Sequence, residues 1–67
     1  MAPRTVPDVQ RALRAKLDDN ELAFGSICAR VVLRTGVNLR NPRPDHAQDP
    51  VAVGKVMSVL ADMGYQL

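Results

Sequence analysis

The chain has 67 residues, of which 46% are hydrophobic and 24% charged, and its formal net charge at pH 7 is +2. A chain of this length forms one domain with a single thin core and leaves no room for a separate catalytic domain. The apolar content argues against disorder. With one Phe, one Tyr and no Trp, the core must be aliphatic, which favours helices. Dimerisation is a common source of extra stability at this size.

Cysteine content and hydropathy indicate a cytoplasmic protein that does not enter a membrane. Cys28 is the only cysteine, so no intrachain disulfide is possible and a reducing compartment is expected. No signal peptide is recognisable at the N-terminus, and no apolar run approaches the roughly 20 residues of a membrane span. Arginine outnumbers lysine seven to two, which favours a bacterial, phage or plasmid genome rich in GC.

The first predicted helix lies in "TVPDVQRALRAKLDD" (residues 5–19). Thr5 is a suitable N-cap, Asp8 completes a capping box, and Pro7 is tolerated in the first turn. Asp18–Asn20 is expected to end the helix. One apolar stripe follows from the helical spacing of Val6, Val9, Ala12, Leu13 and Leu17.

The second predicted helix, in "ELAFGSICARVVLRTGV" (residues 21–37), has two possible starts. Asn20 could cap a long helix, or Glu21–Phe24 could be extended and Ser26 could be the cap. We favour the second interpretation. Both give the same core face, which consists of Phe24, Ile27, Cys28 and Val31.

The end of the second helix is predicted at Gly36, in a left-handed turn. A competing interpretation makes residues 31–40 a β-hairpin, but its Thr-Gly turn is a weaker signal than Asn-Gly. Whether 31–40 is a helix end or a hairpin therefore stays open at this stage, with the helix favoured. Val37–Gln48 is predicted to be a loop, because Pro42 and Pro44 oppose regular structure.

The third predicted helix has the clearest boundaries. Asp49 is a good N-cap, Pro50 suits the first helical position, and Gly64 is a stop signal. The predicted apolar face consists of Val53, Val56, Met57, Leu60 and Met63, and the side chains expected to point away from it are Ala52, Lys55, Ser58 and Asp62. Tyr65–Leu67 is expected to be a stub of strand or a docked tail.

No arrangement of residues predicts an enzyme, a metal site or a cofactor. Cys28 lies on an apolar helix face and is expected to be a small buried hydrophobe. His46 lies in a proline-bounded loop and is expected to be a surface residue rather than a catalytic base. A metal site needs three or four such ligands.

The segment Arg30–Arg43 carries four arginines and no acidic residue. A local basic stripe is typical of a nucleic-acid binder, although a solvated loop can look the same. The motif "VVLRTGV" looks like the first half of a helix-turn-helix. The following "DPVAVGKVMSVLADMGYQ" resembles the recognition helices of winged-helix domains, and the residues that match that pattern are Val53, Gly54, Lys55, Leu60, Gly64 and Tyr65.

This resemblance covers about Phe24 to Tyr65 and implies a mainly α domain. The implied fold is a three-helix helix-turn-helix or wingless winged-helix domain over residues 1–67, with residues 1–4 flexible and a very short β element as an optional addition. It implies a transcriptional regulator or a replication or recombination accessory factor that docks helix 49–63 and the arginine-rich loop 34–48 on duplex DNA. The residues implied to contact phosphates or bases are Arg34, Arg40, Arg43, Gln48, Ala52, Lys55 and Ser58.

A second hypothesis is a small helical protein-interaction module, such as a phage-encoded inhibitor or assembly factor. Val51 and Val59 fall off the main stripe of the third helix, and Met57 is expected to be partly exposed, so apolar surface would need a partner. That partner could be a second copy of the chain. A dimeric DNA-binding protein would combine both hypotheses.

Overall fold

The computed structural model describes residues 3–67, which form four α-helices and no strand. In chain order the helices are α1 (Val6–Lys16), α2 (Glu21–Thr35), α3 (Pro44–Ala47) and α4 (Pro50–Asp62). The predicted mainly α fold class is confirmed. The expected count of three helices misses α3, and the short β element has no counterpart in the described residues. α4 is central, because it packs against each of the other three helices.

The predicted capping box at the start of α1 is confirmed. The backbone N–H of Asp8 donates to Thr5 Oγ1 at 3.2 Å, and the backbone N–H of Thr5 donates to Asp8 Oδ2 at 3.2 Å. Of the residues predicted to be flexible, 1 and 2 lie outside the described residues, and the N–H of Arg4 donates to the Asp8 carboxylate at 3.3 Å. The core side of α1 is formed by Val6, Val9 and Leu13, which are fully buried.

α1 ends as predicted, in a Schellman turn built without glycine. The N–H of Asp19 donates to the carbonyl of Arg14 at 3.0 Å, and the N–H of Asp18 donates to that of Ala15 at 3.2 Å. This geometry places Asp18 at φ 52° and Asp19 at φ 57°. Left-handed backbone is strained for residues with a Cβ, although aspartate tolerates it better than most.

α2 begins at Glu21, so the favoured interpretation, with extended Glu21–Phe24 and a cap at Ser26, is wrong. Asn20 is the cap, and its Oδ1 accepts a hydrogen bond from the N–H of Ala23 at 3.2 Å. Asparagine and serine are N-caps of similar strength, so the longer helix, which contains a glycine at a cost of about 1 kcal/mol, depends on more than its cap. The core face predicted for α2 is confirmed: Phe24, Ile27, Cys28 and Val31 are all buried.

α2 ends as predicted, at Gly36. This glycine has φ 75°, and its N–H donates to the carbonyl of Val32 at 2.9 Å. The hairpin interpretation of residues 31–40 is wrong, because helix continues to Thr35.

The segment after α2 is part of the core rather than a solvated loop. Val37 and Leu39 are buried while the alternating Asn38 and Arg40 are exposed. The side chain of Gln10 in α1 holds this segment, because its Nε2 donates to the carbonyls of Leu39 at 3.2 Å and Arg40 at 2.6 Å. These two buried residues were not predicted.

Regular structure also resumes before the predicted loop ends. Pro44 opens α3, whose four residues run to Ala47. The expectation that the prolines exclude regular structure across residues 37–48 is therefore wrong here. Proline lacks only an N–H that has no intrahelical partner in the first turn, and its fixed φ suits that position.

The boundaries predicted for α4 are confirmed. Asp49 Oδ1 accepts from the N–H of Val51 at 2.9 Å, Pro50 is the first helical residue, and Gly64 follows the helix at φ 93°. The Schellman bond at this end runs from the N–H of Tyr65 to the carbonyl of Leu60 at 2.8 Å.

The buried face of α4 is wider than one stripe. Ala52, expected to point outward, is 4% exposed, and Val59, expected to leave apolar surface, is 7% exposed. Both expectations are wrong because α4 contacts helices on more than one side. Val51 is exposed as expected, at 62%. After the helix, Tyr65 and Leu67 pack against the core, so the C-terminal residues form a docked tail and not a strand.

The strained turn after α1 generates a stability prediction. We expect Asp18→Gly to raise stability by about 0.5–1 kcal/mol, which is several degrees in Tm for a chain of this size, because glycine adopts positive φ without strain. Thermal melts monitored by circular dichroism give the measurement. Asp18→Asn is the matched control, since it removes the charge at the helix C-terminus but keeps the Cβ. Equal Tm values for the two variants would mean that the backbone carries no strain.

Candidate functional site

The three arginines of the predicted DNA-binding loop are paired with carboxylates in space. The nitrogen–oxygen distances are 3.1 Å for Arg34–Asp62, 2.8 Å for Arg40–Glu21 and 3.5 Å for Arg43–Asp45. The segment without acidic residues in the sequence thus receives counter-charges from α2, α3 and α4. All three arginine side chains are at least half exposed, so each pair contributes at most about 1 kcal/mol and can exchange partners.

Arg34 and Arg40 lie towards opposite ends of α2. Arg34 is in the last turn of that helix, whereas Arg40 pairs with Glu21, its first residue. Positions 21 and 34 are about 20 Å apart along the axis, because a helix rises 1.5 Å per residue. The two guanidinium groups therefore do not form one compact basic patch.

The pairing of Arg40 belongs to a network that joins α1, α2 and the buried segment after α2. The Glu21 carboxylate accepts from Arg14 Nη1 at 2.8 Å and from Arg40 Nη2 at 2.8 Å. The Arg14 guanidinium also lies 3.8 Å from the centre of the Phe24 ring. The hydrogen bond from Arg14, supported by the charges of Arg14 and Arg40, lowers the pKa of Glu21 from its usual 4.5. This network gives Arg40 a structural role.

One groove between α2 and α4 does bring predicted site residues together. It is lined by Arg34, Thr35, Gly54, Lys55, Ser58 and Val59. Three of these, Arg34, Lys55 and Ser58, were predicted to contact DNA. Gly54 faces open space in this groove, since a Cβ built there would meet nothing within 4 Å. We call this surface the α2–α4 groove.

The remaining predicted site residues lie elsewhere or are inaccessible. Ala52 is buried against the core, so its predicted DNA contact is wrong. Gln48 is exposed just before α4, and Arg43 is exposed just before α3. Neither lines the α2–α4 groove.

The two most exposed large hydrophobic side chains of the described residues are on α2, and their exposure was not predicted. Leu22 is 89% exposed and Leu33 is 85% exposed. They are separated by three helical turns and lie on the side of α2 opposite its core face. Ser26 and Ala29, both exposed, lie between them. We call these four residues the outer face of α2.

A signal for this outer face exists in the sequence. Leu22, Ser26, Ala29 and Leu33 follow the spacing i, i+4, i+7 and i+11, which is a second helical stripe. The stripe can be recognised only when Asn20 is taken as the cap of α2. With a helix that starts after Ser26, Leu22 falls outside the element and the stripe disappears.

Cys28 and His46 carry the reactive side chains that the sequence singles out. Cys28 is buried as predicted, and burial raises the pKa of its thiol, which makes the thiolate less available. His46 is only partly exposed, and its Nδ1 is buried without a hydrogen-bond partner. Within residues 3–67, no three His, Cys, Asp or Glu side chains are grouped so that they could hold a metal ion. None of the helices in this range is long and apolar enough to cross a membrane.

Comparison with known proteins gives no match: no family model fits the chain, and no curated protein or solved structure is significantly similar to it.

The network around Glu21 generates a pH prediction. A carboxylate whose pKa is lowered by folding stabilises the folded state above its unfolded pKa, and this contribution is lost as the pH falls through the folded pKa. We therefore expect Glu21→Gln to lower Tm at pH 7 and to melt together with the unsubstituted protein well below pH 4.5. Thermal melts at both pH values test this. An equal Tm difference at neutral and acid pH would contradict a charge-based role.

Proposed function

We propose that this protein is a small helical interaction module that binds another protein through the outer face of α2. The observation that carries the proposal is the near-complete exposure of Leu22 and Leu33 on one side of one helix. Single exposed leucines are ordinary on protein surfaces. Two that align across three turns, with only small side chains between them, form a stripe of the kind that docks into a partner.

Energetics support the same choice. Burying a leucine side chain contributes roughly 1.5–3 kcal/mol. A partner that covers Leu22 and Leu33 would therefore gain free energy of binding that the monomer lacks. The described residues provide no tail or loop that covers it, because Tyr65–Leu67 docks elsewhere, beside α1. In contrast, the three arginines predicted to contact DNA, Arg34, Arg40 and Arg43, already have carboxylate partners.

The chemistry of the outer face supports a binding role rather than catalysis. Ser26 is the one polar residue of the outer face, and none of the other three residues of that face can act as a base. An inhibitor or an assembly factor needs only such a recognition stripe. We propose no cofactor for this role.

The proposal predicts that binding depends on the outer face and not on exposed apolar residues in general. Tagged protein, a Leu22→Glu/Leu33→Glu variant and a Val51→Glu control would be used to capture partners from an extract of the source cells. We expect the leucine variant to lose the bound partner at least tenfold, since two charges would have to be desolvated, and the control to retain it. Unchanged Tm values would show that all three fold. The same partner captured equally by all three would contradict the proposal.

A second candidate function is DNA binding by a domain of helix-turn-helix or winged-helix type, in transcription, replication or recombination. The observation that favours it is the α2–α4 groove, where Arg34, Lys55 and Ser58 line one surface. A DNA phosphate would replace Asp62 as the partner of Arg34, which is feasible because that pair is exposed. In this mode Arg40 has no part.

This second candidate predicts duplex binding that depends on the groove. Fluorescence anisotropy with a labelled duplex at two ionic strengths is the measurement. We expect Arg34→Ala/Lys55→Ala to weaken binding at least tenfold and to flatten its salt dependence, because two phosphate contacts are removed. Arg40→Ala serves as the control and should bind normally. Absence of binding at low salt would exclude this function.

A further inference from the structure

We propose that the partner of the outer face of α2 is a second copy of this chain, bound as an antiparallel α2–α2 pair. This inference rests on the proposed function of that face. The two-fold axis would pass close to the midpoint of positions 27 and 28. Symmetric pairs of copies need a surface that is complementary to itself, and the outer face has this property in shape and in charge.

Shape complementarity follows from the positions of the apolar residues. Leu22 and Leu33 are equidistant from the midpoint of positions 27 and 28, each about 8 Å away along the axis. In an antiparallel pair, Leu22 of one copy therefore lies opposite Leu33 of the other, twice over. Ser26 and Ala29 are also equidistant from that midpoint, so a small residue faces a small residue at the centre. Small central side chains allow two helix axes to approach closely.

Charge complementarity follows from the opposite charges of the residues at the two ends of α2. Asp18 and Asp19 lie beside its N-terminal end, where Arg14 and Arg40 already neutralise Glu21, whereas Arg30 and Arg34 lie towards its C-terminal end. An antiparallel pair places the acidic end of one copy beside the basic end of the other, while a parallel pair would align like charges. The helix dipoles favour the same orientation.

Some of these charges are available without breaking internal contacts. Among residues 3–67, no ion pair involves Arg30, Asp18 or Asp19. The exposed Arg34–Asp62 pair can exchange partners at little cost.

The size of the surface sets the expected strength of association. A face of one four-turn helix is smaller than the roughly 800 Å² that each partner buries in a standard stable interface. We therefore expect a dimer that dissociates at micromolar concentrations. Val32, which is 40% exposed beside the outer face, adds apolar area at the edge.

Sedimentation velocity on the purified full chain, from about 5 to 500 µM, tests the inference. The unsubstituted protein is expected to shift from monomer to dimer across this range. Leu22→Glu and Leu33→Lys are each expected to stay monomeric. An equimolar mixture of the two variants should recover the dimer, because the introduced glutamate lies opposite the introduced lysine and the other leucine pair is intact. Val51→Glu, a control on another surface, should dimerise normally.

Each outcome has a distinct meaning. A monomer at the highest concentration overturns the dimer but leaves the proposed function to the capture experiment, which detects a different partner. A dimer that tolerates both leucine substitutions places the interface elsewhere and also overturns the inference. A mixture that stays monomeric excludes the antiparallel pairing. Circular dichroism melts on each variant show whether loss of the dimer follows from loss of folding.

Discussion

The burial of α4 by the other helices is the constraint on which this structure depends. A chain of 67 residues has little apolar material, so one helix must serve as the core for all the others. Val56 and Leu60 are fully buried at its centre, and α1, α2 and α3 each pack on it. Because α4 is enclosed over a wide arc, only its opposite side, which carries Gly54, Lys55 and Ser58, can contact another molecule. That arc buries Ala52 and leaves Lys55 and Ser58 at the edge of a groove.

Local signals in the sequence predicted the helix boundaries correctly where a single capping or terminating residue sets the boundary. Thr5, Asp49, Gly36 and Gly64 each act within one helical turn, and each prediction is confirmed. The predicted start of α2 was wrong because Asn20 and Ser26 were both possible caps. The choice between them depended on contacts with residues outside the first turn of the helix. The burial of Phe24 under the Arg14 guanidinium is such a contact.

The electrostatic part of the candidate site could not be predicted from the sequence, because charges that are distant along the chain meet in space. Arg34 pairs with a residue 28 positions away, and Arg40 with one 19 positions away. Three of the four arginines in a stretch that is purely basic in the sequence therefore have carboxylate partners on the surface. Leucines behave differently, since an exposed leucine can be covered only by other apolar atoms. The exposed leucines of the outer face of α2 are therefore a clearer indication of a binding surface than the arginines are.

The Gln10 side chain also has a consequence for how the molecule assembles. Its single amide group is the link that satisfies two carbonyls about 30 residues further along the chain, at Leu39 and Arg40. This segment has no regular backbone hydrogen bonding of its own, so it can adopt its folded conformation only when α1 is already in place. Its ordering is a late, non-local step with a loop-closure cost. The free energy of the opening that lets backbone amide hydrogens exchange with solvent should therefore be lower between α2 and α3 than at the centre of α4.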